Sequence, residues 1–260
     1  MPHITLNGID LFYAWHGAKN AFPLVLVNGL LSDTTGWIFQ VPALATRFRV
    51  LTYDCRGQGQ SAKPPGPYGP ALHTQDLLAL LDALAVEQAH VVGLSNGGAI
   101  ALNLAATQPK RVARLVVADA VARVDAALGA KVGSWLAALD AGGLGLRFDV
   151  ATPWVWGATF LNHNQANLAT WRAKALEADP QTIRTLLNGT PFDLLPLLGQ
   201  IQAPTLVLVG EEDLLAPPWE ARAIAAAIPQ AQFQIVPQAG HALPFERPET
   251  FNSLVLQFLS

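Results

Sequence analysis

The sequence has little charge, a single cysteine and no long apolar segment. Asp, Glu, Lys and Arg make up 13% of the 260 residues, with a formal net charge of -3. Nothing in that balance points to nucleic acid or an anionic membrane as a partner. The lone Cys55 excludes an intramolecular disulfide and fits a reducing compartment. No run approaches the roughly 20 apolar residues of a membrane span, and the N-terminus lacks the pattern of a signal peptide. We therefore expect a cytoplasmic protein.

Short apolar segments alternate with helical patterns along most of the chain. Hydrophobic residues account for 51% of the sequence, enough for a large core. The alternation predicts an α/β fold with a mostly parallel eight-stranded sheet and helices on both faces. Asn7-Gly8 is a strong hairpin signal, so the first two strands are predicted to be antiparallel. Strands are predicted at 4–6, 11–16, 24–27, 50–53, 91–94, 115–118, 205–209 and 233–236, and helices at 74–84, 97–106, 218–227 and 249–258.

Residues 121–199 interrupt this alternation. They contain no clear strand, and they hold four of the seven tryptophans, namely Trp135, Trp154, Trp156 and Trp171. We interpret this segment as a helical cap inserted into a core formed by residues 1–120 and 200–260. Clustered aromatic residues also suit an apolar ligand pocket, although packing of the cap on the core would explain many of them equally well.

A candidate nucleophile lies between a predicted strand and a predicted helix. Gly93-Leu94-Ser95-Asn96-Gly97 has the pattern G-x-S-x-G. A sharp strand-to-helix turn would force Ser95 into strained backbone angles and lift its hydroxyl above the sheet. Glycine suits the positions two residues before and after it, where a side chain would collide. The pattern therefore predicts Ser95 as a nucleophile for acyl transfer.

A serine hydroxyl needs a base, and the base needs an acid to orient it. His241 follows the last predicted strand and is the best-placed base. Asp213 follows the strand at 205–209 and completes the chain order Ser, Asp, His. Asp119 also follows a strand and remains an alternative acid. The neighbouring acids Glu211 and Glu212 are weaker candidates, which we expect to be solvated turn residues.

Two backbone amides are candidates for an oxyanion hole. The charge that develops on the carbonyl oxygen during acyl transfer requires donors that already point at it. The N–H of Asn96, directly after the nucleophile, is one candidate. The N–H of Leu30, in the loop that follows the strand at 24–27, is the other.

Taken together, these segments resemble the α/β-hydrolase family over nearly the whole chain outside the insertion. The resemblance rests on Asn28-Gly29-Leu30, on residues 53–61, 93–98 and 210–213, and on Gly240-His241. It implies a Ser-His-Asp triad under a helical cap and no cofactor, and we expect no metal site. It also implies that Asp54 and Arg56 brace a loop and that Cys55 serves in packing. Asn28 and Asn96 replace the histidine and methionine found at these positions in many members.

The expected activity is hydrolysis of small, neutral, apolar carboxylic esters through an acyl-enzyme. The first half is also similar to 3-oxoadipate enol-lactonases, so a lactone substrate is an alternative; its negative charge would need a cation such as Arg123 or Arg147. Amidases, carbon–carbon hydrolases and perhydrolases share such a triad. A further alternative, of another class, is a non-catalytic ligand receptor or signalling protein on the same fold. The oligomeric state stays open.

Overall fold

The computed structural model describes residues 2–260 and is built around one eight-stranded sheet. The strands are β1 (His3–Leu6), β2 (Ile9–His16), β3 (Pro23–Val27), β4 (Arg49–Tyr53), β5 (Ala89–Leu94), β6 (Val112–Ala118), β7 (Thr205–Gly210) and β8 (Gln232–Val236). Across the sheet their order is β1-β2-β4-β3-β5-β6-β7-β8. β2 pairs antiparallel with β1 and β4, and the remaining neighbours are parallel. The predicted α/β architecture, with an antiparallel start to a mostly parallel eight-stranded sheet, is confirmed.

Helices connect the strands and cover both faces of the sheet. The helix predicted from residue 74 begins four residues earlier, because Pro70 lacks the N–H that a first helical turn leaves unpaired. Within residues 2–260, no helix is both long and apolar enough to cross a membrane. The helices are α1 (Gln40–Leu44), α2 (Pro70–Ala83), α3 (Asn96–Thr107), α4 (Ala126–Val155), α5 (Ala158–Ala175), α6 (Pro180–Leu187), α7 (Pro218–Ala227), α8 (Leu243–Glu246) and α9 (Pro248–Leu259).

Both faces of the central strands are buried. Val25 and Val27 of β3 pack in one hydrophobic cluster, while Leu24 and Leu26 pack in a second cluster on the opposite face. Successive side chains of a strand point to opposite faces, so a strand covered on both sides reads as a continuous apolar run. This burial keeps the strands rigid and fixes the positions of the loops at their carboxyl ends.

The segment between β6 and β7 is helical. Helices α4, α5 and α6 lie there, and α4 is kinked at Gly142 and Gly143. A third hydrophobic cluster includes Trp135 and Leu187 from this segment, together with Leu215 beyond β7. The limits of core and cap given above remain a prediction.

Candidate active site

Ser95 lies in the sharp turn between β5 and α3. Its φ and ψ are 55° and -119°, a conformation that costs a residue other than glycine roughly 1–3 kcal/mol. Its N–H donates to the carbonyl of Ala118 at 2.8 Å, and its carbonyl accepts from the N–H of Ala99 at 3.1 Å. The flanking strand and helix therefore hold the strained residue, and Ser95 lines a large cavity.

The turn depends on close approach between α3 and the end of β3. A Cβ atom at Gly97 would lie only 2.1 Å from the carbonyl oxygen of Val27. That neighbour is backbone within the buried sheet and has little room to move. Glycine is therefore required at this position, which is the physical basis of the second glycine in the sequence pattern.

His241 connects Ser95 to Asp213. It lies in the loop between β8 and α8, 146 residues from Ser95 along the chain. Its Nε2 is 2.8 Å from the Ser95 Oγ, and its Nδ1 is 2.9 Å from Asp213 Oδ2. The structure thus brings the predicted nucleophile, base and first-choice acid into one chain of hydrogen bonds.

Asp213 is held by the backbone of its own loop. It follows β7 and is almost fully buried. Its Oδ1 accepts hydrogen bonds from the N–H groups of Leu215 and Ala216, both at 2.8 Å. These two donors fix the carboxylate so that its second oxygen faces the imidazole ring of His241.

Asp119, the alternative acid, is used differently. It is fully buried, and its two oxygens accept from the N–H of Gly210 at 2.9 Å and from the N–H of Leu243 at 3.0 Å. Burial, followed by the charge of Asp213, raises the pKa of Asp119 well above its ordinary value. Within residues 2–260 it makes no hydrogen bond to His241. Asp119 instead links the end of β7 to the start of α8. The geometry therefore favours Asp213 as the partner of His241.

The Leu30 and Asn96 amides are both available to a ligand. Both residues line the cavity beside Ser95, and a Cβ at the adjoining Gly29 would lie 3.3 Å from the Cβ of Ser95. Asn96 is the first residue of α3, where a backbone N–H has no acceptor within its own helix. In the described part of the chain, neither amide donates to a protein acceptor.

The cavity has a volume of about 1120 Å³ and extends from Ser95 beneath the inserted helices. Three of the four tryptophans in the insertion line it, whereas Trp154 packs near Lys131 instead. Among residues 2–260, no group of three His, Cys, Asp or Glu side chains is arranged to hold a metal ion. The aromatic wall of the cavity is formed by Tyr68, Trp135, Phe148, Trp156, Trp171, Phe192 and Phe245.

Glu246 links the loop of His241 to the inserted segment, a role the sequence analysis did not foresee. It is buried, and its carboxylate accepts from the N–H groups of Gly240 at 2.8 Å, Gly157 at 3.2 Å and Ala242 at 3.3 Å. Burial is the main cause that raises its pKa. The only sign of this role in the sequence was the position of Glu246 at the end of a short helix, four residues after Ala242.

Glu212 makes a similar link: it lies in a turn, as expected, but it is half-exposed and contacts the inserted segment. Its carboxylate accepts from the N–H of Thr159 at 2.8 Å and from the Thr159 hydroxyl at 2.5 Å. Its neighbour Glu211 is exposed, as expected. The interaction was missed because Thr159 is 53 residues away along the chain.

The loop after β4 is braced by two acids. Asp54 accepts from the N–H groups of Thr34 and Gln60, both at 2.7 Å. Arg56 forms a buried two-bond ion pair with Asp76 of α2, with both distances 2.7 Å. Between them, Cys55 is fully buried, and burial raises the pKa of its thiol to about 12. These contacts agree with bracing and packing rather than direct chemistry.

Comparison with known proteins places the chain in a family. The family model described as "alpha/beta hydrolase fold" matches residues 23–248. The chain belongs to the α/β-hydrolase fold family, and at that level it is a hydrolase. A relative named "Putative carbamate hydrolase RutD", from Caulobacter sp. (strain K31), is 34% identical, with 98% of this chain and 97% of the relative covered.

Two solved structures are similar over almost the full chain. An enol-lactonase from Burkholderia xenovorans LB400 has 32% identity and a TM-score of 0.88, with 99% of each chain covered. A thermophilic esterase from Thermogutta terrifontis has 30% identity and a TM-score of 0.88, with 99% of this chain and 97% of the other covered. Together with the carbamate hydrolase relative, these names cover three hydrolytic activities, so they do not single out one substrate.

Proposed function

We propose that this hydrolase cleaves carboxylic esters, cyclic esters included, by a two-step acyl-enzyme mechanism on Ser95, His241 and Asp213. The single observation that carries the proposal is the unbroken hydrogen-bond chain through these residues at the cavity wall. The similar esterase and enol-lactonase structures support an ester bond as the group attacked.

In the first step, His241 Nε2 accepts the hydroxyl proton as Ser95 Oγ attacks the ester carbonyl carbon. The carbonyl oxygen becomes an oxyanion that accepts hydrogen bonds from the Leu30 and Asn96 amides. Asp213 stabilises the imidazolium and keeps Nδ1 as the donor toward itself. When the carbon–oxygen bond breaks, the imidazolium gives its proton to the leaving alcohol.

In the second step, His241 removes a proton from water as the water oxygen attacks the acyl-enzyme. The same two amides receive the second oxyanion. Collapse releases the carboxylic acid and returns the proton to Ser95. For a lactone, the alcohol and the acid leave as one hydroxy acid, and every other step is unchanged.

Carbamate hydrolysis is a second candidate. It is favoured by the RutD relatives, of which the first covers 98% of this chain. A carbamate carbonyl would be attacked by the same serine and would use the same two amides. The two candidates differ in the leaving group, which is an amine or ammonia when the carbamate carbon–nitrogen bond breaks.

Turnover of a substrate panel tests both candidates. Purified protein and Ser95→Ala are assayed with p-nitrophenyl esters, lactones and carbamates. Loss of the nucleophile in such enzymes lowers turnover roughly 10⁴- to 10⁶-fold, and we expect a loss of that size on the preferred class. Undiminished turnover by Ser95→Ala contradicts the mechanism. Tight ligand binding without any turnover would instead indicate the receptor alternative.

A further inference from the structure

Arg147 is a cation without a partner in the wall of the active-site cavity. Lys63, Arg147 and Lys174 are the lysine and arginine residues that line the cavity. Lys63 donates to the carbonyl of Gly59, and Lys174 pairs with Glu177. In residues 2–260, Arg147 makes no hydrogen bond or ion pair, and its Nε is buried without an acceptor.

The part of the chain that the structure describes supplies no acceptor for this guanidinium. Arg147 is half-buried and its Nε is fully buried, and removing a charged group from water is costly unless it is paired. Burial lowers the pKa of Arg147 from its ordinary value, and no nearby carboxylate opposes that effect. An arginine remains protonated in proteins, so Arg147 presents to the cavity a charged guanidinium that no acceptor among the described residues pairs, although acidic residues such as Asp33 and Asp179 lie elsewhere in the lining.

The position of Arg147 suits one end of an extended substrate. It lies in α4 on the same face as Ala151 and Val155, and all three line the cavity. The carbonyl of Val155 accepts the N–H of His241 at 2.9 Å, so that end of the helix adjoins the proposed triad. The eight-residue step from Arg147 to Val155 spans about 12 Å of helix. A substrate that reaches from Ser95 to Arg147 would therefore have several bonds between its reacting carbonyl and the group at Arg147.

A second unpaired donor lines the same cavity. The indole N–H of Trp135 is buried and has no acceptor in the described part of the chain. By contrast Arg123, the other cation considered from the sequence, is exposed and lies outside this cavity. A buried nitrogen of Gln58 in the same lining also lacks a partner within residues 2–260, so Arg147 is distinguished from these donors by its charge.

We infer that Arg147 binds a carboxylate carried by the substrate away from the bond that is cleaved. The inference rests on the proposed function, because it names the substrate class of the same site. It replaces the neutral ester expected from the sequence with a half-ester or carboxy-lactone. The guanidinium would form two parallel hydrogen bonds with the carboxylate, and the aromatic wall would cover the connecting methylene groups.

Paired substrates test this assignment. Mono-p-nitrophenyl esters of dicarboxylic acids, from succinate to suberate, are compared with p-nitrophenyl alkanoates of equal chain length. Arg147→Met should lower kcat/KM for the preferred half-ester about 10- to 100-fold, as expected for a lost charge-assisted bond. The matched alkanoate should change less than about 3-fold, because it makes no bond to the guanidinium. Arg147→Lys should recover part of the loss.

Arg222→Met is the matched control, because it removes the same charge from an exposed position outside the cavity. It should leave the ratio between charged and neutral substrates unchanged. An equal loss on both substrates in Arg147→Met would assign the residue a structural role and overturn the inference. So would a wild-type protein that shows no preference for any half-ester in the series.

A binding measurement separates this inference from the proposed function. Adipate and glutarate are titrated calorimetrically into Ser95→Ala and into Ser95→Ala/Arg147→Met. Saturable binding that requires Arg147 supports the carboxylate site, even if the panel reveals no ester turnover. The opposite result is turnover that requires Ser95, with neither binding nor substrate preference depending on Arg147. That result overturns the carboxylate site but leaves the proposed hydrolysis unaffected.

Discussion

At the scale of single residues, two buried aspartates near the site have different surroundings. Asp213 faces the His241 ring with one oxygen and receives two backbone amides with the other. Asp119 gives both oxygens to backbone amides from separate loops. A carboxylate that directs one oxygen at the imidazole can fix the tautomer of the histidine, whereas a carboxylate that directs both oxygens at backbone amides holds loops together.

These surroundings predict opposite consequences for the same substitution. Asp213→Asn should lower kcat about 10⁴-fold with little loss of stability, because an amide favours the wrong tautomer of His241. Asp119→Asn should destabilise the fold by about 1–3 kcal/mol, since its NH₂ would face a backbone N–H. Steady-state kinetics and thermal unfolding of both variants check this. The assignment would be reversed if Asp119→Asn lost kcat while keeping a normal Tm, and if Asp213→Asn kept the wild-type kcat.

At the scale of elements, the loop of His241 and the start of α5 are joined through Glu246. A Cβ at Gly240 would lie 2.1 Å from the backbone nitrogen of Gly157, so the two segments are in direct backbone contact. Glu246 satisfies amides from both. The orientation of His241 is therefore coupled to the position of the inserted helices.

Glu246→Gln should show this coupling. A glutamine has one acceptor oxygen. Its NH₂ group would face one of the backbone N–H groups that donate to Glu246 in the wild type. We expect kcat to fall about 10-fold through displacement of His241, as for one lost buried hydrogen bond to a charged group, with KM changed little. Glu211→Gln, at an exposed site in the neighbouring loop, is the control. Wild-type kcat in Glu246→Gln would show that the link does not position the base.

At the scale of the whole molecule, buried histidines make stability depend on pH. His73 in α2 packs against Tyr68, and burial lowers its pKa from 6.5 to about 4. The unfolded chain therefore binds more protons than the folded chain between these pH values. Stability contributed by neutral His73 is present above pH 6.5 and is lost as the pH falls toward 4.

His73→Gln should reduce the acid sensitivity of the fold. The pKa difference corresponds to roughly 3 kcal/mol of stability at neutral pH relative to strong acid. We expect the fall in Tm between pH 7 and pH 4.5 to be smaller in His73→Gln than in the wild type. His163→Gln, at an exposed site in α5, is the control. An identical fall in Tm for wild type and His73→Gln would contradict the linkage.

Several features of the sheet and the site were predictable from the sequence because their causes are local. Asn7-Gly8 marks the hairpin, and apolar runs mark strands buried on both faces. Gly97 is specified by its close approach to the backbone of Val27, so the pattern around Ser95 carried its own structural signal. The chain order Ser, Asp, His then indicated which loops could meet at the carboxyl edge of the sheet.

The sequence by itself determined the family, the sheet and the candidates Ser95, His241 and Asp213. Only the tertiary structure decided which strand-end acid faces the histidine, and only it revealed the roles of Glu246 and Glu212. It also decided that Arg147, rather than Arg123, lies unpaired in the cavity. The physical reason is that these properties depend on contacts between loops and helices far apart in the chain, whereas strand patterns and turn residues express short-range constraints.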